Sequence, residues 1–192
     1  MTAQIILASA SPRRFELLKQ IGVSCEVYPV DIDESAKPNE SAIELVKRLA
    51  KEKAQAAWQQ TGGRLPVLGS DTLGLIGSEI LVKPVDFAHA REMLLKMSAN
   101  WHDIFTAVAL CSTHKTEVVL SQSRVRFAKL TEADIKNYWQ SGEPQDKAGA
   151  YAIQGLGAVF VERLEGSYSG VMGLPLYETS QLLQGINIKI LR

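Results

Sequence analysis

The chain has 192 residues, 46% of them apolar and 22% charged, with 21 basic residues against 21 acidic ones and a formal net charge of zero. A neutral chain has no overall field to draw in a nucleic acid polymer, so any anion it binds must be met by a local cluster of cations. No apolar stretch approaches the ~20 residues that span a bilayer, and the two cysteines, Cys25 and Cys111, lack the spacing of a zinc site or a disulfide framework.

The apolar run Ile5-Ile6-Leu7 predicts a buried strand, followed by the small-residue turn Ala8-Ser9-Ala10-Ser11. Ser11 stands at an N-cap position and Pro12 at the first helical position, with Phe15, Leu17, Leu18 and Ile21 at helical spacing before Gly22. Arg13 and Arg14 therefore open a helix whose free N–H groups and positive dipole end suit a phosphate. Cys25 to Val30 reads as a second strand, and Asp31-Ile32-Asp33-Glu34-Ser35 as an acidic turn after it. Asp31 and Asp33 read as turn residues. From Glu40 to Gln60 the composition is helical, with an apolar stripe through Ile43, Val46, Leu49, Ala50, Ala54 and Ala57. Lys53 falls on that stripe, where an ammonium must find an anion or reach outward to water.

Pro66 to Gly69 predicts a buried strand that ends at Ser70-Asp71-Thr72, placing Asp71 at a strand terminus; Leu73 to Ile76 and Ile80 to Val82 then form a hairpin. Lys83-Pro84 follows, and Asp86 to Met97 carries one apolar helical face. Trp101 to Cys111 and Thr116 to Phe127 read as paired strands, and Thr131 with Asp134 as the capping box of a helix reaching Ser141. A glycine-rich segment runs from Asp146 to Gly157, a strand from Val159 to Leu164, a helix after Leu174-Pro175, and a final strand through Ile186, Ile188 and Ile190. Helices between early strands and hairpins later predict an α/β fold with a mixed sheet, in one domain over 1–192, with ligand bound at the C-terminal ends of the strands. His89, His102 and His114 show no ligand spacing, and Tyr151 and Tyr168 suit a core position or a base contact equally.

Strand ends thus supply Ser9, Arg13, Arg14, Asp33, Glu34, Asp71, Thr72, Lys83, Asp146 and Lys147. Cations mixed with carboxylates suit a polyanion only if a divalent metal joins them, and hard oxygen ligands favour Mg²⁺ or Mn²⁺. A nucleoside triphosphate is the natural partner of such a set.

The segments LASASPRR, GSDT, the KP that follows, DKAGAYAIQG and GSYSGVMGLPL, in this order, resemble the Maf family of nucleoside triphosphate pyrophosphatases. The resemblance implies an elongated mixed sheet with flanking helices and two lobes around a central cleft. It implies hydrolysis of the α–β phosphoanhydride to a monophosphate and pyrophosphate, with a divalent metal cation as cofactor. It places Ser9, Arg13, Arg14, Lys53 and Lys83 on the substrate, Glu34 and Asp71 on the metal, and Asp71 as proton acceptor. Arg13, Thr72 and Gln154 are linked to substrate choice, and Ala150-Tyr151 with Gln154 match the subgroup acting on dTTP and UTP rather than on 7-methyl-GTP. A side-chain amide offers a donor and an acceptor, which complements the edge of uracil or thymine. Orthophosphate release would mark an ordinary phosphatase instead, and binding without turnover a nucleotide-binding regulator of septum formation. The resemblance further implies a homodimer, and the absence of a basic segment leading into an apolar run points to the cytoplasm. Two departures stand out: Ser70 replaces the family's alanine, and Ala99 replaces a glycine that, at positive φ, an alanine would strain.

Overall fold

The computed structural model describes residues 2–190. Seven strands form a mixed sheet flanked by helices: β1 (Ile5–Ala8), β2 (Cys25–Val27), β3 (Val67–Ile76), β4 (Glu79–Leu81), β5 (Trp101–Cys111), β6 (Thr116–Phe127) and β7 (Val161–Glu165). Their order is β2-β1-β3-β5-β6-β7, with β4 paired to β3. β1 runs parallel to both β2 and β3, whereas β3–β4, joined by a tight turn at Gly77, and β6–β7, joined by the long segment 128–160, are antiparallel. The helices are α1 (Pro12–Gln20), α2 (Ala42–Gln60), α3 (Phe87–Met97), α4 (Glu132–Gln140), α5 (Tyr168–Val171) and α6 (Leu176–Gln184). By their contacts the described residues divide into two compact units, one holding residues 2–72, 106–121 and 173–190, the other residues 73–105 and 122–172.

In the first unit β1 is buried along its whole length and α2 lies against it, because both carry an unbroken apolar surface: Ile5, Ile6 and Leu7 on the strand, Val46, Ala50, Ala54 and Ala57 on the helix. Small residues on that helix face set how closely it can approach. Gly69, on β3, is the extreme case, since a Cβ there would lie 2.4 Å from the Ala50 carbonyl oxygen and 2.7 Å from the Ala54 nitrogen. The start of α2 is fixed by a reciprocal cap: Ser41 Oγ accepts from Glu44 N at 3.3 Å and Glu44 Oε2 accepts from Ser41 N at 2.9 Å.

The second unit is built round Met93, Leu94 and Met97 of α3, Val125 and Phe127 of β6, Ile135 and Tyr138 of α4, and Tyr151 and Phe160. His102 is buried within it. Its Nε2 lies 2.8 Å from the Tyr151 hydroxyl, and its ring meets Phe127 and Tyr151 edge-on. Its Nδ1 has no hydrogen-bond partner among the described residues.

Four local expectations are corrected. β3 is one strand from Val67 to Ile76, so Asp71 and Thr72 lie in mid-strand rather than at a terminus. The strand from Cys25 stops at Val27. The segment Leu156–Phe160 is a 3₁₀ turn, and β7 begins only at Val161. Ile186, Ile188 and Ile190 form no strand; Asn187 takes a φ of +63° and Ile188 N donates to Leu183 O at 3.0 Å, so the chain wraps the end of α6 instead. Ala99 does adopt a φ of +56°, the left-handed conformation that a glycine would take without cost.

Candidate active site

The site forms in the first unit where β1 ends, α1 begins and the middle of β3 passes beside α2. β1 delivers Ser9, buried, whose Oγ accepts from Ser11 N at 3.2 Å and from Arg14 Nη1 at 3.1 Å. Ser11 occupies the N-cap of α1 without a side-chain capping bond, and Pro12 is the first helical residue. Gly22 follows the helix at a φ of +75°, and Val23 N reaches back to Leu18 O, which closes the C-terminus.

Arg14 spends three of its five N–H donors on the protein: Nη1 on Ser9, Nη2 on Thr72 Oγ1 at 3.2 Å, and Nε on the Gly173 carbonyl at 2.8 Å. It is thus a bracket joining α1, β3 and the segment ahead of α6, with two donors left for an anion. Burial lowers its pKa and the Asp71 charge works against that, but a guanidinium remains ionised throughout. Sequence reading did not foresee this bracing role. Nor did it foresee that Ser70, buried in β3, donates to the same Gly173 carbonyl at 2.9 Å, an anchor that alanine would not supply. Arg13, one residue earlier and half-buried, makes no hydrogen bond or ion pair among the described residues, which leaves its whole fork available.

Lys53 resolves the conflict posed by a lysine on an apolar stripe. Its Nζ lies 2.7 Å from Asp71 Oδ1 and 2.6 Å from Glu34 Oε1, and its side chain is 12% exposed. This contact also explains why β3 continues through an aspartate, a poor strand residue: the carboxylate finds its partner on the helix that Gly69 admits. Burial raises the pKa of Asp71 above its ordinary value, against the charge and hydrogen bond of Lys53 and the charge of Arg14, while the Glu34 charge adds to the rise.

Glu34 reaches Lys53 from a loop that α2 holds in place. Arg48 donates to Ser35 O at 2.8 Å, to Glu40 Oε1 and Oε2 at 2.6 and 2.9 Å, and to Glu52 Oε2 at 2.9 Å. One guanidinium therefore secures both ends of the segment that follows Glu34. Asp33 is the expected turn residue, its Oδ1 accepting from Ser35 N at 2.9 Å.

The structure thus gathers two hydrogen-bonded sets, Ser9–Arg14–Thr72 and Glu34–Lys53–Asp71, coupled by the charges of Arg14 and Asp71, with Arg13 next to the first in sequence. Lys83 and Gln154 belong to the second unit, where both are exposed. Asp146 and Lys147 pair with each other there. Chemically, the first unit offers a serine hydroxyl, two arginines and a lysine for phosphate oxygens beside two carboxylates. No three of the described histidines, cysteines and carboxylates converge as a closed metal cage. Hard oxygen donors that already share one cation, the Lys53 ammonium, nevertheless fit an Mg²⁺ or Mn²⁺ ion that arrives with phosphate and water as its remaining ligands. No helix of the described residues is long and apolar enough to cross a membrane.

The family model described as Maf-like protein matches residues 4–186. Among curated relatives, the dTTP/UTP pyrophosphatase of Hahella chejuensis is 50% identical over 97% of this chain and 94% of its own. That of Pseudoalteromonas atlantica is 50% identical over 96% and 97%, and that of Shigella sonnei 51% identical over 95% and 93%. A solved nucleoside-triphosphatase / dITP/XTP pyrophosphatase from Mycobacterium abscessus is a distant likeness, at 17% identity and a TM-score of 0.43 over 66% of this chain and 75% of that one.

Proposed function

The chain belongs to the Maf family, and from that premise we propose that it is a nucleoside triphosphate pyrophosphatase that hydrolyses dTTP and UTP to the monophosphate and pyrophosphate. The observation that carries the reading is the Asp71–Lys53–Glu34 network beside Arg13 and Arg14, an arrangement of anion-binding cations and metal-binding carboxylates that a simple phosphate receptor does not need. The curated relatives at about half identity support the choice of substrate. The family match over 4–186 supports treating both units as one functional domain, and a substrate drawn from the free nucleotide pool favours the cytoplasm.

In this reading Ser9, Arg13 and the two free donors of Arg14 receive the phosphate oxygens, and Lys83 adds a further cation to the leaving pyrophosphate. Glu34 and Asp71 would hold the divalent cation, which supplies charge neutralisation on the triphosphate and a more acidic water. Asp71 orients the attacking water toward the α-phosphorus and takes its proton. Its raised pKa makes it a stronger base than an ordinary carboxylate. Lys53 keeps that carboxylate fixed and offsets charge that develops nearby. Gln154 reads the pyrimidine edge, and Thr72, tied to Arg14, sets the position of the substrate-facing fork.

The test is to incubate the protein and Mg²⁺ with dTTP, UTP, CTP, GTP and 7-methyl-GTP and to separate the products. Monophosphate and pyrophosphate from dTTP and UTP are expected. Cleavage confined to 7-methyl-GTP would overturn the substrate assignment, and release of orthophosphate would overturn the reaction.

A further inference from the structure

Gln154 sits in a loop with little regular structure, it is exposed, and it makes no hydrogen bond or ion pair among the described residues. With no partner to hold the side chain, the path of its backbone sets the region its amide can reach. That backbone is seated on two side chains. Glu143 Oε2 accepts from Leu156 N at 2.8 Å, and Glu143 Oε1 accepts from Gly157 N at 3.0 Å and from the Tyr138 hydroxyl at 2.7 Å. The Tyr138 oxygen in turn accepts from Ala152 N at 3.1 Å. One carboxylate and one phenol thus hold the chain two residues before Gln154 and two and three residues after it.

The fit is close. A Cβ on Gly155 would lie 2.2 Å from Glu143 Oε2, so any side chain after Gln154 would push the Glu143 carboxylate off its place. The platform is itself firm: Tyr138 is buried on α4, its ring edge-on to Phe160 with centroids 5.0 Å apart, and Glu143 opens a 3₁₀ turn after Gly142 at a φ of +77°. Every one of these groups lies in the second unit.

We propose that Glu143, braced by Tyr138, is a positioning residue for base selection: it sets the path of the loop 152–157 and so the place at which Gln154 meets the pyrimidine. This rests on the reading that Gln154 contacts the base. Glu143→Gln is a nearly isosteric probe, because the carboxamide can still accept from Gly157 and Tyr138 but turns an N–H toward the N–H of Leu156. Tyr138→Phe probes the same loop from the other side, removing the acceptor of Ala152 N.

The experiment compares kcat/KM for UTP and CTP in the parent protein, Glu143→Gln, Tyr138→Phe, Gln154→Ala and the Glu143→Gln/Gln154→Ala double variant, with thermal midpoints for each. Loss of one hydrogen bond to a charged group is expected to lower the UTP preference about tenfold in Glu143→Gln, and Tyr138→Phe should lower it in the same direction. In the Gln154→Ala background Glu143→Gln should change the preference no further, since the group it positions is gone. An equal fall for both nucleotides would show a merely structural role and overturn the proposal. So would an unchanged preference in Glu143→Gln when Gln154→Ala alone abolishes it. An unaltered preference in Gln154→Ala would overturn the base-contact reading itself, and the proposal with it.

Discussion

Substitution of Gly69 by alanine should disable the site from beneath without touching any residue in it. The new Cβ would lie 2.4 Å from Ala50 O and 2.7 Å from Ala54 N, both backbone atoms of α2. Since carbon–oxygen contacts settle near about 3.4 Å, α2 must retreat by roughly 1 Å. Lys53 adjoins Ala54 in that turn, so its 2.7 Å contact with Asp71 would open by a similar amount. Overpacking of this kind costs about 1–3 kcal/mol, which for a chain of this length lowers the melting midpoint by roughly 3–9 °C. A misplacement of ~1 Å at reacting groups costs about 100-fold in rate. Calorimetry and steady-state kinetics on the folded variant measure the two effects separately. A variant with parental midpoint and parental kcat would refute the claim that close packing at Gly69 positions the ion pair.

Asp71→Asn should lose about 10²–10⁴-fold in kcat while still binding nucleotide, the range that removal of a general base produces. Because burial raises the folded pKa of Asp71, its ionised form is disfavoured in the fold, so the neutral amide should keep or raise the melting midpoint at pH 7; a lower midpoint would contradict this. The acid limb of the rate profile should likewise lie above the ordinary aspartate value. His102 is held down to about 4 by burial, against 6.5 when unfolded. The unfolded chain therefore binds the extra proton between those values, and stability complete above pH 6.5 should fall by about 3 kcal/mol as the pH drops toward 4. Denaturant titrations across that window should show the slope, and His102→Gln should flatten it. Ala99→Gly should stabilise the protein by about 0.5 kcal/mol, the relief of a left-handed alanine less the entropy of a glycine. A fall in its melting midpoint would count against strain at that turn.

The parts of the site that were legible in the sequence are those that break a local rule. Lys53 was visible because an ammonium does not belong on an apolar stripe, and the structure gives it two carboxylates. Arg13 and Arg14 were visible because they open a helix after a buried strand. The distinct duties of those two arginines were not, since only long-range contacts with Thr72 and Gly173 turn Arg14 into a bracket. Asp71 suggested a strand terminus because aspartate favours turns, whereas pairing with Lys53 allows the strand to continue through it and Thr72. The alternation of Ile186, Ile188 and Ile190 suggested a strand but meets no partner strand, and period alone does not supply one. Glu143 and Tyr138 left no sequence signal, because their importance lies in which backbone amides they meet across the fold.

The most direct test of attack at the α-phosphorus is hydrolysis of dTTP in ¹⁸O-labelled water with Mg²⁺, followed by mass analysis of both products. The account predicts one labelled oxygen on the monophosphate and none on the pyrophosphate. Label on the pyrophosphate, labelled orthophosphate, or tight binding with no cleavage would contradict it.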